Sequence, residues 1–249
     1  MEKQKVIICK DFANDLTNAV SKCSPDKIFI LVDEHTKDLC LPLIQSIPCL
    51  KDASLICIGA GDAHKHLDTL AHVWQELSTQ GATRHSLMIN LGGGMVTDLG
   101  GFAASTFKRG ITYINIPTTL LAMVDASVGG KTGINFNGLK NEIGVFSPAE
   151  YVLIDTEFLK SLDSHNLLSG YAEMLKHGII STTEHWAELL NFDLNQIDYK
   201  ALQQLVAHSV SIKEDIVEKD PFEKNIRKAL NLGHTVGHAF ESLALENNR

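Results

Sequence analysis

Residues 86–98 read Ser86-Leu87-Met88-Ile89-Asn90-Leu91-Gly92-Gly93-Gly94-Met95-Val96-Thr97-Asp98, and the fold is decided here. Ser86–Asn90 is short, apolar and bounded by turn formers, which predicts a buried parallel strand. Leu99-Gly100-Gly101-Phe102-Ala103-Ala104-Ser105 then predicts a helix packed closely on that strand. Three glycines at a strand-to-helix junction let the backbone approach a ligand with bare N–H groups. The positive end of the helix dipole favours a phosphate at the same place. The run is not a G-x-G-x-x-G fingerprint, and a tight turn with close helix packing also accounts for it.

Working outward, Gly110–Ile116 predicts a second strand, closed by Pro117-Thr118-Thr119 with two hydroxyls at its C-terminal edge. Ligands of open α/β sheets bind at that edge. Gly130-Lys131-Thr132 invites a P-loop reading, but the pattern needs a glycine five residues earlier, where Asp125 stands. Upstream, Lys27–Val32 and Ser54–Ile58 predict further strands, and His66–Gln80 an amphipathic helix. Asp33, just past the first of these, suits an adenine-ribose hydroxyl; a helix N-cap at Asp33 or Thr36 suits the same residues. Strands alternate with helices through about residue 155, which predicts a parallel sheet. Beyond Leu162 the strand-like runs disappear, and 166–180, 184–191, 199–218 and 222–247 read as helices. The fold class expected is therefore an α/β N-terminal domain over 1–160 with a parallel nucleotide-binding sheet, followed by a mainly α-helical C-terminal domain over 161–249. The cleft between them is the expected site.

The 249 residues, 44% hydrophobic and 21% charged, have the make-up of an ordinary globular protein. A net charge of −8 argues against nucleic acid or an anionic membrane as partner. No window approaches 18 apolar residues, and no signal-like stretch follows Met1, so a cytoplasmic location is expected. The five cysteines lie in the first quarter, without close metal-knuckle spacing, and read as reduced packing residues.

In the helical half, Glu173 and Lys176 share one helical face, as do His234 and His238. A surface ion pair is the plain reading of the first two. Two imidazoles and a carboxylate also suit a catalytic zinc with an open position, which on spacing alone names Glu173, His234 and His238. His177, one turn from Glu173, is read as helix surface.

The motifs Gly92-Gly93-Gly94 with Asp98, Arg109-Gly110, Pro117-Thr118-Thr119, Asp125 with Gly129-Gly130-Lys131-Thr132, and Lys140-Asn141 resemble those of the 3-dehydroquinate synthases in order and spacing. Gly170–Lys176 and the stretch from Arg227 through Asn231, His234 and His238 to Glu241 are similar to that family's second-domain signatures. The resemblance implies NAD along Gly92, Gly93, Gly94, Met95, Val96, Thr97 and Asp98. Further cofactor contacts are implied at Asp33, Thr118, Thr119, Leu121, Asp125, Lys131 and Lys140, and at Phe158, Leu159, Lys160 and Ser161. A Gly-Glu-x-x-Lys contact is implied across Ala60, Gly61, Asp62, Ala63, His64 and Lys65, with Asp62 one methylene shorter than the usual Glu. For substrate, Arg109, Lys131, Asn141, Lys176, Lys213 and Arg227 match positions that hold a phosphate and a carboxylate. Asn231 and His238 match positions near substrate hydroxyls and phosphate, and Asp125 a polar contact beside the nicotinamide.

For the metal, Zn2+ or Co2+, the resemblance implies Glu173 and His234, and it moves His238 to the substrate. The family's remaining ligand is a downstream histidine, and none follows His238 before Arg249. The expectation is a shortened chain that keeps NAD but binds zinc poorly. The implied reaction converts 3-deoxy-D-arabino-heptulosonate 7-phosphate to 3-dehydroquinate and phosphate, with a small anionic sugar phosphate as substrate and a homodimer as the assembly. The valiolone and deoxy-inosose synthases share the plan but accept other sugar phosphates; Asn231 and His238 favour the dehydroquinate branch. The glycerol-dehydrogenase-like enzymes share the triple glycine but not the Lys131, Lys140-Asn141 and Arg227 set. A nucleotide-binding fragment without turnover is the reading from a different class.

Overall fold

Short runs of β-branched and aliphatic residues between turn formers build the sheet. A computed structural model describes residues 4–233 together with Val236, Gly237, Phe240 and Leu243. Strands β1 (Lys5–Ile8), β2 (Ile28–Asp33), β3 (Ser54–Ile58), β4 (Leu87–Gly92), β5 (Thr112–Pro117) and β8 (Tyr151–Ile154) form one sheet in the order β1-β8-β5-β4-β2-β3. Every pairing in it is parallel. β4 and β8 are buried along their whole length, as strands covered on both faces must be.

Helices α1 (Phe12–Cys23), α2 (Glu34–Leu39), α3 (Leu41–Ile44) and α4 (Leu67–Thr79) connect the earlier strands, and the helix after the glycine run is α5 (Gly94–Thr106). Gly100 and Gly101 set how closely it packs. A Cβ on Gly100 would stand 2.1 Å from Asn90 Oδ1 on β4, and one on Gly101 2.5 Å from Thr132 Cγ2. Helix α5 is thus pressed between the sheet and a second structure, the antiparallel pair β6 (Lys131–Phe136) and β7 (Leu139–Phe146).

This hairpin departs from the expected strand–helix alternation. Its turn is Asn137-Gly138 with φ of 50° and 79°, a primed turn that matches the twist of its strands and is favoured by this dipeptide. The preceding link also differs from a plain α-helix: Ala122–Ala126 is a π-helical turn.

The chain leaves the sheet at Ile154 and becomes helical: α6 (Ser164–Ile180), α7 (Thr183–Asn191) and α8 (Tyr199–Lys219). Asp163, Thr182 and Asp198 cap the three N-termini with their side chains. Tyr171 Oη donates to Leu189 O at 2.7 Å and ties α6 to α7. Gln203 Nε2 donates to Cys9 O at 2.6 Å and ties α8 to the sheet domain.

The helix expected over 222–247 does not start at 222. Pro221 removes a donor, and the Asp220 carboxylate takes the backbone N–H groups of Lys224, Asn225 and Arg227. A turn results, with Glu223 at φ 56°, followed by a 3-10 segment over Ile226–Asn231. All five cysteines are free, as expected.

Candidate active site

Two adjoining cavities open along the C-terminal edge of the parallel sheet. The larger, about 840 Å3, lies over the ends of β2, β4 and β5 and reaches the start of α6. The smaller, about 550 Å3, is walled by the hairpin, Lys213 of α8 and the 220–231 turn. Asp98, Asp125, Ala126 and Asn141 line both and form their border.

The larger cavity gathers most residues expected for the cofactor. Gly93 is the N-cap of α5 and offers no side chain to its N–H groups. Gly93, Gly94, Met95 and Asp98 reach the wall, as do Thr118, Thr119 and Leu121 after β5. Gly92, Val96 and Thr97 do not; Val96 and Thr97 are buried beneath. Asp33 is the helix N-cap that its sequence allowed. It lines the cavity, and its Oδ1 accepts from Thr36 N at 2.7 Å in a capping box.

After β3, Gly61, Asp62 and Lys65 reach the wall, while Ala60, Ala63 and His64 do not. His64 instead fills the space beside Gly59. Ser161 lines the cavity, but Phe158 and Leu159 belong to the hydrophobic core, with Phe158 edge-on to Phe12 at 5.2 Å. Lys160 is a surface residue paired with Glu157 at 2.7 Å. All four lie in the 3-10 turn Thr156–Ser161, whose apolar side faces inward, and of them only Ser161 reaches the cavity wall.

The border is held by buried cations. Lys65 Nζ donates to Asp98 Oδ2 at 2.6 Å and to Asn141 Oδ1. Burial still pushes the Asp98 carboxyl above its ordinary value, against the pull of Lys65. Lys213 donates to both the backbone and the carboxylate of Asp125. Burial alone would raise Asp125, but Lys213 outweighs it and holds the carboxyl low. Lys140 approaches Asp62 at 3.8 Å.

In the smaller cavity Lys131 pairs with Glu223, which also accepts from Asn231 Nδ2 at 2.6 Å. Burial pushes Glu223 up, and the bonds from Lys131 and Asn231 bring it below its ordinary value. Glu223 was missed in the sequence, since no spacing links it to Lys131, 92 residues away. Arg227 is buried, donating to Pro221 O at 2.7 Å and Gly129 O at 3.1 Å. Arg109 is not brought to either cavity. It is exposed before β5, at the opposite end of that strand from Pro117.

Glu173 lines the larger cavity from α6 and accepts from Lys176, whose Nζ also donates to Leu230 O. This pair is buried and not the surface bridge its spacing allowed. His177 corrects another expectation. It is fully buried, its Nε2 stands 3.5 Å from Glu173 Oε1, and neither ring nitrogen has a hydrogen-bond partner among the described residues. His234 and His238 lie outside the described residues, although Gly237 between them lines the larger cavity.

Residues 55–169 match the family described as 3-dehydroquinate synthase N-terminal, and residues 170–248 match 3-dehydroquinate synthase C-terminal. The chain belongs to the 3-dehydroquinate synthase family. A 3-dehydroquinate synthase of Parabacteroides distasonis is 57% identical over 244 residues, 98% of this chain and 69% of that protein. One from Pyrococcus abyssi is 42% identical over 231 residues, covering 93% and 68%. The chain thus spans about two thirds of the length of these 3-dehydroquinate synthases. A solved 2-deoxy-scyllo-inosose synthase, complexed with carbaglucose-6-phosphate, NAD+ and Co2+, superposes with a TM-score of 0.87 at 23% identity, over 97% of this chain and 67% of that one. The 2-epi-5-epi-valiolone synthase of Streptomyces hygroscopicus, with NAD+ and Zn2+ bound, gives 0.84 at 26%, over 94% and 66%. The fold is therefore that of the dehydroquinate synthase-like cyclases, a parallel α/β unit with a helical part after it.

Proposed function

We propose that this chain forms the site of a 3-dehydroquinate synthase that converts 3-deoxy-D-arabino-heptulosonate 7-phosphate to 3-dehydroquinate and phosphate. The observation that carries the reading is the border shared by the two cavities. A nucleotide-sized space and a space ringed by Lys131, Lys213 and Arg227 meet at Asp98, Asp125 and Asn141.

The larger space fits a dinucleotide. The α5 N-terminus carries no side-chain cap, and a Cβ on Gly93 would stand 2.9 Å from Thr119 Cγ2, so glycine there keeps the approach clear. The described residues also fit a divalent metal in part: Glu173 supplies a carboxylate, and Nε2 of the buried His177 stands 3.5 Å from it. Glu173 and His234 are the residues that would hold it. When bound, NAD supplies a hydride acceptor for the substrate alcohol and the metal a Lewis acid toward its oxygens.

The chain's own residues do the rest. Lys131 and Arg227 offer charge-assisted bonds to a phosphate and a carboxylate. Asn231, whose amide also donates to Glu223, lies where a substrate hydroxyl would meet it, and Lys213, fixed on Asp125, supplies a cation at the border for the leaving phosphate. The assembly proposed is a homodimer, which sedimentation velocity reads.

The test is phosphate release with NAD and zinc, comparing the heptulosonate 7-phosphate with a hexose 6-phosphate. It is run on this chain and on this chain joined to the remaining third of the Parabacteroides relative. Phosphate released from the heptulosonate alone supports the reading. Release from the hexose phosphate alone would replace it with another sugar phosphate cyclase. NAD binding without release in either form would leave a nucleotide-binding unit.

A further inference from the structure

Helix α7 and helix α8 carry a side-chain cluster that neither cavity uses. Thr182 caps α7 and fixes its first turn by accepting from His185 N at 3.2 Å. Glu188 stands one turn beyond His185, on the same face. Helix α8 runs alongside and presents His208. One ligand atom from each of the three residues lies within 4.8 Å of the other two.

The separations favour a metal over hydrogen bonds. His185 Nδ1 is 3.4 Å and His208 Nδ1 3.5 Å from the same oxygen, Glu188 Oε2. Good N–H···O bonds run about 2.7–3.2 Å, so both distances are long. Ligand atoms about 2.0–2.1 Å from a tetrahedral ion lie about 3.3–3.4 Å apart. The two edges through Glu188 already have that length, and only the imidazole–imidazole edge has to close.

The second shell is present too. His185 is fully buried, and its Nε2 meets Ser209 Oγ at 3.1 Å. With Nε2–H turned to Ser209, the lone pair of the ring is on Nδ1, toward Glu188 and His208. Ligating histidines are oriented in this way by a partner on the other nitrogen. The rings of His185 and His208 stand 4.0 Å apart between centroids, so the two imidazoles are already side by side.

We propose that His185, Glu188 and His208 form a second metal site, for a zinc-class divalent transition ion, which clamps α7 to α8 outside the catalytic cavities. Two imidazoles, one carboxylate and an open position suit zinc, and exclude calcium and magnesium, which take oxygen ligands. Helix α8 also carries Lys213, so the clamp steadies the helix from which that lysine reaches Asp125.

The experiment is equilibrium dialysis of the chain against zinc, with cobalt(II) spectra as a second readout, for wild type, His208→Gln, Glu188→Gln and Glu173→Gln. His208 and Glu188 are exposed enough, at 41% and 55% of their side chains, for these changes to leave folding intact, which circular dichroism checks. The expected result is one zinc equivalent lost, or bound at least about tenfold more weakly, in His208→Gln and Glu188→Gln, and retained in Glu173→Gln. Tetrahedral cobalt bands should go with it, and zinc should raise the melting temperature of wild type more than that of His208→Gln. Unchanged stoichiometry and affinity in both cluster variants would overturn the proposal, as would loss of all zinc in Glu173→Gln alone.

Discussion

The larger cavity takes its chemistry from backbone, the smaller from side chains that already hold one another. At the mouth of α5 the N–H groups and the helix dipole are fixed by the helix itself, and Gly93 only has to stay out of the way. Around the smaller cavity each lysine stands on an acid: Lys213 on Asp125, Lys131 on Glu223 and, at the border, Lys65 on Asp98. A ligand entering the first meets a finished surface. An anion entering the second exchanges for, or joins, a carboxylate already in place. Substitutions should therefore separate binding from folding in the first region and couple them in the second.

The largest coupling is expected at Lys213, buried against Asp125 with a further bond to its backbone oxygen. Lys213→Met leaves a carboxylate without its cation and should lower unfolding stability by about 3 kcal/mol while abolishing turnover. Urea unfolding reads the first, phosphate release the second. Adding Asp125→Asn should restore most of the stability and none of the activity. Full stability in the single variant would show that the pair does not hold the two halves together.

Next come two cations of the same cavity that differ in burial. Lys131 leaves 48% of its side chain exposed, whereas Arg227 is 2% exposed and satisfies two carbonyls. Each methionine substitution should reduce kcat/KM ten- to a hundredfold, the worth of a charge-assisted contact at about 1.5–3 kcal/mol. Only Arg227→Met should also lower the melting temperature, because Pro221 O and Gly129 O lose their donor. Equal thermal stability of the two variants would break the distinction.

On the backbone side, Gly93→Val should weaken NAD binding about tenfold, near 1.4 kcal/mol, by placing methyl groups toward Thr119 and the cofactor path. Calorimetry measures the affinity. Unchanged affinity would mean that the cofactor does not pass over this junction.

The same contrast sets what the sequence made legible. The strand–glycine–helix unit, Asp33 at the end of β2 and the hydroxyls of Thr118 and Thr119 are local patterns, and each was read within a dozen residues. The β6–β7 hairpin was missed although Asn137-Gly138 is a strong local signal. The strand–helix alternation around it masked the change of period. Glu223, the burial of His177 and the surface position of Lys160 depend on contacts between distant segments or on which side of a turn faces the core. Local spacing holds no record of them.

The smallest effect expected is one of slope. Glu223 is held below its ordinary value of 4.5 and Asp98 above its ordinary 3.8. For Glu223 the unfolded chain takes up the proton first as pH falls. Its stabilisation is therefore full above the ordinary carboxylate range and is lost as pH drops from 4.5 through the folded value. For Asp98 the native state protonates first, so acid relieves a penalty that is present at higher pH. Melting curves between pH 7 and 3.5 should then fall less steeply for Glu223→Gln than for wild type, and more steeply for Asp98→Asn. At pH 7 the Glu223 pair should contribute less than about 1 kcal/mol, since Lys131 is half exposed and water screens it. Slopes that moved in the same direction in both variants would show that the two acids sit in equivalent surroundings. The division between a border acid raised by burial and a cavity acid lowered by its partners would then be wrong.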